Sequence, residues 1–114
     1  MNIQTIDIVI SKGSALFHRL SELGQRLLPC FKIIERDELR ELLCFNEKVV
    51  NMHAETYRIR EEQTIAEIHG QRDRIISLER CARDLLNRAK ELENAFNKFE
   101  LKVLPRIKGE ASDD

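Results

Sequence analysis

With 114 residues, 42% of them apolar and 34% charged, the chain has room for one domain, and its composition is neither that of a disordered segment nor that of a membrane protein. Four glycines, two prolines and 5% aromatics without Trp are poor material for a β-sandwich or a nucleotide-binding α/β unit, and they suit long helices. The formal net charge of −1 leaves no basic excess to neutralise a phosphate backbone, which argues against nucleic-acid binding as the main activity.

In chain order, residues 1–13 read as an N-terminal arm, either an early helical turn or an extended stretch. Ile6, Ile8 and Ile10 alternate as in a strand, but nothing visible could pair with one. The short run Ile6-Asp7-Ile8-Val9-Ile10 cannot span a bilayer, so no integral membrane association is expected. It also makes a poor signal peptide, which leaves a cytoplasmic location, with the nucleus open. Residues 14–36 form an amphipathic helix, its stripe carried by Leu16, Leu20, Leu23 and Leu27 at three- and four-residue hops. Pro29 kinks or breaks it, because proline removes a backbone donor and clashes with the preceding turn. Asp37 is a candidate N-cap for the segment that starts at Glu38, without a capping-box partner because Arg40 stands in that place.

Residues 38–104 hold no proline and one glycine, Gly70, among good helix formers. With no second turn-former beside Gly70, one continuous helix is favoured over a hairpin. Pro105 is expected to close it, with 105–114 a disordered tail. The fold class is therefore all-α: an elongated long-helix coiled coil or helical hairpin.

The strongest pattern lies between Ile68 and Val103. Ile68, Ile75, Ala82, Ala89, Phe96 and Val103 fall at one heptad position, and Leu78, Leu85, Leu92 and Phe99 at its companion. In a parallel, in-register pair, Glu67 would face Arg72, Arg74 would face Glu79 and Arg88 would face Glu93, all opposite charges. Breadth at Cys81, Leu86 and Ala95 hints at more than two helices meeting there. Upstream, Leu42, Phe45, Val49, Met52, Thr56 and Ile59 form a second stripe. Continued through Gln63 and Ala66, it does not meet Ile68 in phase, as a local change of supercoil near Gly70 would produce, and the residues before Pro29 could supply one partner by folding back as a helical hairpin.

Sites for chemistry are not evident. His18, His53 and His69 lack a His or Cys three or four residues away, so no helical metal-ligand pair exists and no metal is expected. Paired acids such as Glu35 with Glu38 sit beside Arg or Lys and read as solvated helix faces rather than general acids. Cys30, Cys44 and Cys81 read as free, buried thiols in a reducing compartment. No catalytic residue and no cofactor is nominated. The expected function is a small coiled-coil structural or adaptor subunit that assembles with helical protein partners, hetero-oligomer favoured and homodimer possible. Its contacts would be Ile68, Ile75, Leu78, Leu85, Leu92, Phe96 and Phe99, with Leu20, Leu23 and Leu27 as a second surface. The alternative is a chaperone-like helical carrier, which needs a groove left open at rest.

Overall fold

The computed structural model describes residues 4–112, except for the side chains of Cys30, Phe31, Ile33 and residues 108–112. Buried residues recur at alternating three- and four-residue hops in every helix, and a helix can satisfy that spacing only by laying one stripe against neighbours. Helix α1, Thr5–Leu27, buries Ile6, Val9, Gly13, Leu16, Leu20, Leu23 and Leu27. Helix α2, Arg36–Ile68, buries Phe45, Val49, Met52, Thr56, Ile59, Gln63 and Ala66 together with Glu38. Helix α3, Arg72–Ser112, turns Leu78, Ala82, Leu85, Ala89, Phe96, Phe99, Val103 and Ile107 inward. The three stripes share one core along a bundle measuring 62 × 28 × 18 Å. The fold is all-α and elongated, as expected. Among the described residues no helix is long and apolar enough to cross a membrane.

The connections depart from expectation, or decide between open alternatives, at four places. First, 38–104 is not one helix: α2 ends at Ile68 and α3 begins at Arg72. Gly70 sits between them at φ +63°, a left-handed conformation that glycine adopts without the Cβ clash other residues suffer. The amide of Gln71 donates to the carbonyl of Ala66 at 2.9 Å, closing the turn. The phase slip between the two stripes is thus a chain reversal, not a supercoil adjustment.

Second, of the early helical turn or extended arm expected over residues 1–13, the described part is helical and already belongs to α1, which starts at Thr5. Ile6, Val9 and Gly13 continue the helical spacing of Leu16 and Leu20, and this outweighs the two-residue alternation of the isoleucines. Residues 1–3 of that arm lie outside the described residues. Third, of the kink or break expected at Pro29 the structure has the break: a 3₁₀ turn spans Leu28–Ile33, with proline in its first positions where a missing N–H costs least.

Fourth, Pro105 does not end the last helix, and residues 105–112 of the expected disordered tail are helical. Proline deprives only the carbonyl of Leu101 of its partner. Leu101 is 76% exposed, so water reaches that side of the helix. Val103 and Ile107, on either side of Pro105, are buried and hold α3 to the bundle. The last two residues of that tail lie outside the described residues.

Candidate interaction surface

The expected contact residues are mostly spent within the chain. Leu20, Leu23, Leu27, Leu78, Leu85, Phe96 and Phe99 are buried, and Ile75 and Leu92 are partly buried against the same core. The Phe45 ring of α2 meets Phe96 and Phe99 of α3 edge-on, with centroids 5.7 and 5.8 Å apart. Arg19 and Lys102 cover the same rings from outside, 5.0 Å from Phe96 and 5.5 Å from Phe99. Ile68 alone of the set stands out, 75% exposed at the end of α2.

The charges flanking that seam are spent likewise. Arg74 pairs with Glu62 and Arg88 with Glu55, both on α2. Glu93 takes Lys12, and Glu79 accepts the hydroxyl of Thr5, both on α1. Arg19 reaches Glu100 and Asn97. The Arg74–Glu79 and Arg88–Glu93 matches expected between two parallel copies are therefore replaced by contacts within one chain. Helices α1 and α2 supply the partners that a second copy of α3 would otherwise provide.

One acid expected on a solvated face is not solvated. Glu38 is buried at the end of the bundle that carries the Leu28–Ile33 turn, where Arg106 grips both carboxylate oxygens, Nη1 to Oε1 at 2.6 Å, and Lys102 lies 3.8 Å away. The same carboxylate accepts the backbone N–H of Glu35 at 3.1 Å and closes a capping box, so Glu35, not Asp37, caps α2. The Arg106 hydrogen bonds hold the Glu38 carboxyl below its ordinary range; burial opposes them, and the Glu35 amide and the charges of Arg106 and Lys102 assist. The thiols of Cys44 and Cys81 depart from expectation in the other direction: both are exposed, since neither falls on its helix's buried stripe.

The space left open lies between α1 and α2 on the side turned away from α3. Phe17, Leu20, Ser21, Gly24 and Leu28 line it from one wall, and Leu39, Leu42, Leu43 and Asn46 from the other, with Ile34 closing the end. The groove beside Leu28 holds about 370 Å³, and its continuation towards Phe17 about 260 Å³. Gly24 makes the space: a Cβ placed there would meet nothing within 4 Å. Leu28 is 64% exposed and Leu43 60%, and Phe17 is half exposed. Lower down the helices close up, because a Cβ on Gly13 would lie 2.9 Å from Nδ1 of His53. That nitrogen is buried without a hydrogen-bond partner among the described residues, and the Tyr57 ring stands edge-on to His53 at 4.9 Å.

A larger groove of about 480 Å³ runs between α2 and α3, but Lys48, Glu55, Arg88 and Glu91 line it, and the Arg88–Glu55 pair crosses it. Among the described residues no three His, Cys, Asp or Glu side chains gather as metal ligands. The chain matches no family model, and comparison with curated proteins and with solved structures gives no match.

Proposed function

We propose that this chain is a small structural or adaptor subunit that assembles with a partner helix through the groove between α1 and α2. The observation that carries the reading is the apolar groove around Gly24, walled by Leu28, Leu39, Leu42 and Leu43. Exposed leucines beside an unfilled apolar hollow lose hydration cost when an amphipathic helix lies between them. The groove is open along its length and its walls are nearly all apolar, so it suits a helix face better than a polar small molecule. The heptad pattern points to docking on the seam of α3; the groove takes over that role because the seam is occupied by α1 and α2.

The test is to fill the hollow. Gly24 is helical and unobstructed, so Gly24→Leu should fold at least as well as the parent. In native purification from source-cell extract, the parent should retain a protein that Gly24→Leu loses at unchanged helix content. Identical retained proteins for both would contradict the groove assignment.

A further inference from the structure

Helix α2 carries a second heptad stripe on the side opposite its core. It runs Arg36, Arg40, Leu43, Glu47, Val50, Ala54, Tyr57, Glu61 and Thr64, at hops of four and three, and every one of these residues is exposed. Leu43, Val50 and Tyr57, seven residues apart, are its apolar centre, with Ala54 between the last two. A solvated helix face has no need of such a centre, and it asks to be covered.

Charge decides what covers it. On the α3 flank of α2, Glu38, Glu41, Glu55 and Glu62 each pair with a cation of α3. On the outer stripe, Arg36, Arg40, Glu47 and Glu61 make no ion pair among the described residues. The free charges at the two ends of the stripe are ordered, with the arginines in the first turns of α2 and Glu61 near its far end, while Glu47 stands between Leu43 and Val50. Arginine at a helix N-terminus faces the positive end of the backbone dipole, so that end favours an incoming carboxylate. A second α2 laid antiparallel over the stripe brings its own Glu61 to Arg36 and Arg40 while Leu43, Val50, Ala54 and Tyr57 meet across the middle. A parallel arrangement would set arginine on arginine and glutamate on glutamate. The net charge of −1 leaves little long-range repulsion between copies.

We infer that the outer face of α2 docks on the same face of a second copy, the two helices antiparallel about the Leu43–Tyr57 segment, in a two-fold dimer. The inference builds on the reading of this side of the bundle as an interaction surface; the two surfaces meet at Leu43, while Val50, Ala54 and Tyr57 belong to the dimer face alone and Gly24 and Leu28 to the groove alone. The Gly24 end of the groove stays open in each copy, so the dimer presents two grooves to partners.

Light scattering over a concentration series tests it, with helix content followed on the same samples. The parent should move from one chain to two. Val50→Glu should remain helical and monomeric across the series. Arg40→Glu and Glu61→Arg should each weaken the dimer roughly tenfold, since two symmetry-related contacts turn repulsive, and the double variant should recover most of the loss. A parent that stays monomeric, a dimer indifferent to Val50→Glu, or a double variant as weak as the singles would each overturn the inference. Monomers that still lose a partner on Gly24→Leu would overturn the dimer and leave the proposed function standing. Dimers without a Gly24-dependent partner would do the reverse.

Discussion

Glu38 shows how one residue can be decided by a contact that sequence spacing does not reveal. Locally it is one acid among many beside basic neighbours, and its partner Arg106 lies 68 residues away. Only the antiparallel return of α3 brings them together. Because its folded carboxyl sits below its ordinary range, the unfolded chain takes up a proton there first as pH falls. The stabilisation is therefore complete above the ordinary glutamate range and is lost as pH drops through the lower folded value. Glu38→Gln keeps the shape but loses the charge-assisted pair, at a cost of about 2 kcal/mol at neutral pH. Urea titrations should show parent and variant converging in acid. A cost that stayed constant down to the acid limb would contradict the ion-pair account. Cys44 and Cys81 illustrate the same limit from another side, since their apolar neighbours in sequence are not their neighbours on the helix surface.

At the scale of elements, the helical stripes were legible almost residue by residue. Phe45, Val49, Met52, Thr56, Ile59, Gln63 and Ala66 are all buried, and so is most of the stripe from Leu78 to Val103. The joint at Pro29 was legible from the proline itself, but the one at Gly70 was not, because it depends on one backbone angle rather than on a repeating pattern. Gly70 lacks the neighbouring turn-formers that mark most hairpins, yet its left-handed φ alone permits the reversal. The phase slip between stripes was the sequence's own sign of that turn, since two stripes on one straight helix have no reason to disagree. Pro105 misleads in the opposite sense: a proline on the solvent side costs one hydrogen bond, which buried Val103 and Ile107 outweigh. If the reversal depends on Gly70, Gly70→Ala should lower stability by about 1 kcal/mol, although nothing lies within 4 Å of the added methyl. Thermal melts of the two forms check this. An unchanged or raised midpoint would mean that the turn does not need the left-handed conformation.

For the whole molecule, the decisive change is where the long apolar seam finds its cover. Length and charge matching both suited a second chain, and sequence alone could not show that α1 and α2 are long enough to cover α3 from within. Once they do, the seam is structural, and the surfaces left for partners are the Gly24 groove and the outer face of α2. The candidate interaction site was therefore illegible: its walls belong to two helices whose relative placement is set by the turn at Pro29 and the contact at Gly13. The most direct measurement is helix content by circular dichroism along a dilution series that light scattering carries down to the single-chain mass of 13.4 kDa. The isolated chain should keep its full helical signal and melt cooperatively, because its core closes within one copy. Helix content that falls away as the chains separate would show that the seam from Leu78 to Val103 needs a second molecule, and would contradict a core closed within one chain.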